Sequence, residues 1–235
     1  MPDLRRHYAH DLTQDDLTVV GGLQVTTLER TAIDCALTLP PRRALPVVDS
    51  VLRMLARPNR FDRERSESAM TKARQGLRAK LADLGRRNGL VAARAALQYA
   101  DGFSESPGES DLRWIAVAGG LPEPTLQLLV ATDEGDFYTD MGWDLRRYAP
   151  GPLAPRRVVA EYDGAGKYLS SPESLFAEKQ REDAIRARRT VMHRYVDRHL
   201  RDPRSAFTRL CHGFPRSVLD HLKPVAALMQ LPTRN

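Results

Sequence analysis

Cysteine is nearly absent from this 235-residue sequence: Cys35 and Cys211 stand far apart, with no second Cys and no His at metal-ligand spacing. That excludes a disulfide framework and a zinc site, and leaves two ordinary thiols expected to be buried. Lysine is also scarce, supplying only five of the 36 cationic side chains. No apolar run approaches the roughly 18 residues that a membrane span needs. The amino end, through Asp16, mixes Arg5, Arg6, His7 and His10 with acids and lacks the apolar core of a secretory signal. These absences point to a cytoplasmic protein with no membrane partner. What is present, 42% hydrophobic residues in a 26.4 kDa chain, is enough for one domain of average size or two small ones.

The net charge of +6 permits a polyanionic partner without requiring one. Its distribution says more. Residues 1–104 carry 17 basic and 12 acidic side chains, residues 105–144 carry 1 and 9, and residues 145–235 carry 18 and 9. An acidic block between two basic ones suits divalent cations on the first and phosphates on the second, or is merely uneven surface charge.

Local patterns divide the chain near residue 103. Before it, Leu17 to Val20 and Leu23 to Thr26 flank Gly21-Gly22, a hairpin signal. Thr26 or Thr27 then caps a helix that Pro40-Pro41 stops. Apolar stripes at Ala44, Val48, Val51, Leu52 and Leu55, and at Met70, Ala73, Leu77, Leu81 and Leu84, predict further helices, with another near Ala92 to Ala100. The arginine-rich stretch from Arg53 to Arg65 reads as a solvated loop. Residues 1–103 are thus a mainly helical unit. After the turn-rich Asp101 to Glu109, residues 104–235 predict a helix over Pro107 to Gly119 and strands over Thr125–Ala131, Phe137–Asp144 and Arg157–Asp163. A helix from Pro172 to about Arg189, a fourth strand over Val191–Val196, and two short helices in the tail follow. The class is α/β: a small helical N-terminal unit, then a mixed four-stranded sheet flanked by helices.

On the third of these strands Glu161 and Asp163 are two apart and share a face. Carboxylates so placed repel unless a cation neutralises them, and Asp140 on the preceding strand can add a third oxygen, a set that Mg²⁺ accepts. The alternative is a solvated acid at a strand end beside Gly164. Lys179, Arg181, Arg186, Arg188 and Arg189 on the following helix, and Arg194 on the last strand, can contact phosphates. Interleaved Glu178, Glu182 and Asp183 make a salt-bridged solvent face an equal reading for the helix. Gly164-Ala-Gly-Lys167 is not a nucleotide-binding loop, because Glu161 and Tyr168 break the pattern. Trp114 and Trp143 read as core, and His193 is assigned no catalytic role.

The run Glu105-Ser-Pro-Gly-Glu-Ser-Asp-Leu-Arg113, then Gly120-Leu-Pro-Glu-Pro124, Asp140-Met-Gly-Trp143, Glu161-Tyr-Asp-Gly164, Lys167-Tyr168, Glu178-Lys-Gln-Arg-Glu-Asp183 and Arg194 resembles actinobacterial PD-(D/E)XK nuclease-like proteins. These are relatives of the very-short-patch-repair endonucleases. The likeness spans about residues 103–200 and implies a restriction-endonuclease-like domain. Residues 22–60, with Gly22-Leu-Gln-Val-Thr26 and Arg30-Thr-Ala-Ile-Asp34, resemble the segment that follows the winged helix in abortive-infection-type antitoxins, and the winged helix itself is expected to be missing here.

The nuclease resemblance implies that Glu109, Asp140 and Glu161 hold Mg²⁺ or Mn²⁺ and that DNA phosphodiesters are cleaved. Asp163 stands where that family's motif has lysine. Lys167 then takes the lysine's role, and Asp163 serves as a further ligand. Lys179, Arg181 and Arg194 are the expected DNA contacts. The antitoxin resemblance implies instead a non-catalytic regulator that binds nucleic acid or a toxin protein.

Overall fold

The computed structural model describes residues 11–148, 151, 154–164 and 172–229. Strands β1 (Leu17–Val20) and β2 (Leu23–Thr26) pair antiparallel, Leu17 opposite Thr26. Their turn uses positive φ at both Gly21 (58°) and Gly22 (81°), which side chains with a Cβ resist. Helix α1 (Leu28–Thr38) starts where the Thr27 hydroxyl accepts from the Arg30 amide at 3.3 Å. Pro40-Pro41 ends α1 and at once opens α2 (Pro41–Ala56), since proline suits a first helical turn. Helices α3 (Arg63–Asp83) and α4 (Leu90–Tyr99) follow. Ile33, Leu45, Val48, Leu52, Leu77 and Leu97 from the four helices form one core.

The stretch from Arg53 to Arg65 is not the single solvated loop its charge suggests. Arg53 lies in the last turn of α2, and Arg63 opens α3. The Arg63 guanidinium rests on the Phe103 ring, 4.2 Å from its centroid, and donates to the Leu126 carbonyl at 2.6 Å. A residue expected in solvent therefore joins the helical unit to the sheet.

Near the hairpin, buried Arg30 gathers Asp11, Asp16 and Asp34. Asp16 also meets Lys80 at 2.7 Å. The Lys80 hydrogen bond, helped by the Thr13 amide and Arg30 against the cost of burial, holds the Asp16 carboxyl down from 3.8 to about 2. A depressed folded-state value contributes stability above the unfolded value, and that contribution disappears as pH falls through the folded one. The stability gap between the wild type and Asp16→Asn, measured by urea titration, should close as pH falls from 3.8 to about 2. A gap unchanged across that window would show that the carboxylate charge does not hold this corner.

The second unit runs α5 (Pro107–Ala118), β3 (Thr125–Thr132), β4 (Gly135–Asp144), β5 (Arg157–Tyr162), α6 (Pro172–Ala187) and β6 (Thr190–Tyr195). The sheet order is β3-β4-β5-β6, antiparallel at the first two junctions and parallel at the last, where α6 makes the crossover. This is the mixed four-stranded sheet flanked by helices that the sequence patterns imply.

Alternation sorts the strands onto two faces. Met141, Trp143, Val158, Ala160 and Tyr195 pack with Leu112, Ile115 and Ala116 of α5. Val130, Val159 and Met192 pack with Ile185 of α6. Helices α7 (Asp197–Leu200), α8 (Pro203–Cys211), α9 (Arg216–Leu219) and α10 (Ala226–Met229) complete the described chain. Among the described residues, the tail beyond Asp202 thus forms three short helices where two were expected. Trp143 is buried and donates to the Pro122 carbonyl at 2.7 Å, and Trp114 to that of Leu228 at 3.0 Å, as core residues do. No helix among the described residues is long and apolar enough to cross a membrane.

Candidate functional site

Strand pairing puts the predicted carboxylates at one end of the sheet. Met141 is opposite Ala160, so Asp140 and Glu161 are adjacent where β4 and β5 part. On the other side of β4, Leu126 pairs with Met141 and Leu128 with Thr139, which leaves Gln127 facing Asp140. Gln127 has φ 49°, a left-handed conformation that interrupts the ladder at this step. Released there, the Asp140 carboxylate accepts the Tyr162 amide at 2.8 Å and bridges β4 to β5. Glu161 lies on the sheet face that α6 covers, where Arg181 of that helix also feels the Asp140 charge.

That face is not open to solvent. Glu161 is only 3% exposed, and both of its oxygens are taken by Arg181 of α6, Oε2 from Nη1 at 3.1 Å and Oε1 from Nη2. Arg181 Nη2 also donates to the Tyr138 carbonyl at 2.9 Å. Asp163 is held likewise: Arg194 Nε meets its Oδ2 at 2.7 Å and Nη2 its Oδ1 at 2.9 Å. Arg194 Nη2 further donates to Glu178 at 2.6 Å, and Nη1 meets Glu182 at 3.5 Å. The three- and four-residue spacing of Glu178, Arg181 and Glu182 along α6 aims all three at the strand ends. Acids and arginines thus alternate across β5, α6 and β6. The hydrogen bond to Glu161 pushes the pKa of Arg181 above the usual guanidinium value, and that to Asp163 does the same for Arg194, so both stay charged.

Glu109 is placed elsewhere. It sits in the first turn of α5, on the other side of the sheet, where Gly108 packs so tightly on the Tyr162 ring that no Cβ would fit. Its Oε2 accepts the Glu105 amide at 2.7 Å and its Oε1 the Ser106 hydroxyl at 2.9 Å, while Ser106 accepts the Glu109 amide at 3.2 Å. Ser106 thus caps the helix and Glu109 folds back onto the turn before it, and burial pushes the Glu109 carboxyl up. Glu109, Asp140 and Glu161 therefore do not converge, and among the described residues no three His, Cys, Asp or Glu side chains form a group that could hold a metal ion. With guanidinium or amide hydrogens on the oxygens of Glu161 and Asp163 and on Asp140 Oδ2, this set does not fit Mg²⁺ or Mn²⁺ as arranged.

Lys167 lies outside the described residues. Of the three expected DNA contacts, Lys179 is exposed and meets no carboxylate among the described residues, whereas Arg181 and Arg194 are turned onto the acids. His193 is buried and its Nε2 donates to the His212 carbonyl at 2.8 Å, a packing role. Sequence reasoning missed that Arg181 is the counter-ion of Glu161. The available signal was Glu161 following Val158-Val159-Ala160, a carboxylate on an otherwise apolar central strand that has to find a cation.

Two uncharacterized proteins of Mycobacterium tuberculosis, Rv2248 of strain H37Rv and MT2308 of strain CDC 1551 / Oshkosh, are each 31% identical to this chain over 163 residues. The alignment covers 69% of this chain and 51% of each relative, so the chain spans about half the length of the curated relatives it matches. No family model matches the chain, and no solved structure matches it.

Proposed function

We propose that this chain is a non-catalytic DNA-binding regulator built on a nuclease-like α/β core. One observation carries the reading: the two guanidinium groups of Arg181 and Arg194 occupy the carboxylates of Glu161 and Asp163, where the resemblance implies a metal ion and a lysine. Carboxylates engaged by the protein's own guanidinium groups are not available to hold a metal ion that would ionise water. Asp163 in place of the motif lysine points the same way, as does the antitoxin-like stretch of residues 22–60. Exposed Lys179 and the excess of 18 basic over 9 acidic side chains in residues 145–235 support a polyanionic partner. A cytoplasmic setting, where DNA is reached, accompanies this reading.

A second reading, a metal-dependent endonuclease, is favoured by the adjacency of Asp140 and Glu161 on one sheet face. One assay separates the two. Fluorescence anisotropy with duplex DNA should show binding that weakens steeply with added salt, and incubation with Mg²⁺ or Mn²⁺ over single-stranded, duplex and mismatched substrates should give no product. Metal-dependent nicking that chelator stops and Glu161→Gln abolishes would put the endonuclease first. Absence of DNA binding at low salt would remove the DNA-binding reading and turn attention to a protein partner.

A further inference from the structure

On α8 the spacing of Arg204, Ser205, Thr208 and Arg209 places all four on one face, with His212 at the helix C-cap. With His193 of β6 they line an open groove of about 520 Å³. This groove is on the sheet face opposite the carboxylate cluster, because His193 alternates with Arg194 along β6. Its lining holds two guanidinium groups, two imidazoles and two hydroxyls, and no carboxylate.

The two arginines differ from those that hold the two units and the sheet face together. Arg30, Arg42, Arg113, Arg181 and Arg194, among others, close onto acids. Arg204 and Arg209 form no ion pair with a carboxylate among the described residues. Arg209 is instead fixed by stacking on the buried Tyr195 ring, 4.9 Å from its centroid, and by His199 Nδ1 at 3.4 Å. The nearby acid, Asp202, is turned to the helix start, where it accepts the Arg204 and Ser205 amides and the Ser205 hydroxyl at 2.6 Å. That leaves the guanidinium groups of Arg204 and Arg209 and the Thr208 hydroxyl as donors toward the groove. The local field is positive: burial first, and Arg209 after it, push both His193 and His199 below the usual imidazole range.

We propose that this groove is a phosphate-binding site, with Arg204 and Arg209 gripping the anion and Thr208 donating to it. Planar guanidinium groups match phosphate oxygens in pairs, and a groove without acids imposes no repulsion on the anion. The phosphate can belong to a nucleic-acid backbone or be free in solution. This inference stands apart from the DNA-binding reading, since it involves different residues on a different face.

Calorimetric titration of the full chain with inorganic phosphate, against chloride at matched ionic strength, tests it. Saturable 1:1 binding of phosphate is expected, weakened at least about tenfold by Arg204→Gln or Arg209→Gln and partly restored in Arg209→Lys. Arg204 is exposed at the helix start, so its variant keeps the test interpretable if loss of the Arg209 stack loosens the fold. Competition with a short duplex identifies the source: displacement of phosphate by DNA supports a backbone phosphate, and DNA binding that is indifferent to both substitutions while phosphate binding is weakened by them supports a free one. No saturable phosphate binding by the wild type, or equal affinity in the Arg204 and Arg209 variants, overturns the proposal. Loss of DNA binding alone would overturn the preceding reading and leave this one standing.

Discussion

Arg113→Met should lower the unfolding free energy by about 4 kcal/mol, within the range for opening a fully buried ion pair. Arg113 of α5 and Asp49 of α2 are 4% and 2% exposed, and the guanidinium Nη2 meets Asp49 Oδ2 directly. Asp49 Oδ1 also accepts the Asp101 amide at 2.8 Å, and Arg113 donates to the Tyr99 carbonyl. Burial pushes the Asp49 carboxyl up, and Arg113 is the main influence opposing it. Without Arg113 a carboxylate is left in an apolar junction, or it takes up a proton and the charge is lost. Asp49→Asn combined with Arg113→Met should recover much of the loss, because the amide oxygen still accepts from Asp101 and no lone charge remains. Urea midpoints with an unchanged denaturant slope are the measurement. A loss below about 1 kcal/mol, the size of an exposed pair, would mean that water reaches Asp49.

The same pair shows what was readable in the sequence and what was not. Gly21-Gly22, Pro40-Pro41 and the alternation along Thr125–Ala131 and Arg157–Asp163 act locally, so they mark the hairpin, the helix break and the strands without knowledge of the rest of the chain. The order of helix, three strands, helix and strand followed from them. The boundary near residue 103 is a local composition shift, yet in space α5 packs on α2, and Arg42 bonds Asp111 at 2.5 Å and the Leu200 carbonyl at 2.6 Å. Charge pairing is not local. Arg63 reaches Leu126, and Arg113 reaches Asp49, across separations that no periodicity reports. The candidate site divided in the same way. Period-two geometry put Glu161 and Asp163 on one face, and the pairing of β4 with β5 that would bring Asp140 beside Glu161 is the one the register shows. Which cation each would meet depended on how α6 and β6 return, and Glu109, grouped with them by resemblance, instead closes its own helix start.

Arg181→Ala should destabilise the protein by about 3 kcal/mol, the low end for a broken buried pair, because a quarter of the Arg181 side chain reaches solvent while Glu161 does not. The cause is the buried Glu161 carboxylate, left without the guanidinium that meets both of its oxygens. Adding Glu161→Gln to that variant should return most of the loss, since a neutral amide costs far less to bury and can donate to Tyr138. The single variant also interrogates the site directly. With the guanidinium gone, Glu161 loses its counter-ion beside Asp140. A latent ion site would then reveal itself, because a ligand that binds only the folded state raises stability with its concentration. Under the regulator reading Mg²⁺ gives Arg181→Ala no more stabilisation than the same ionic strength of NaCl, since the carboxylates serve to anchor α6 and not to gather a metal. A Mg²⁺-specific rise in melting temperature in Arg181→Ala that vanishes in the double variant would instead mean that Arg181 guards a working ion site, and the hydrolytic reading would take precedence.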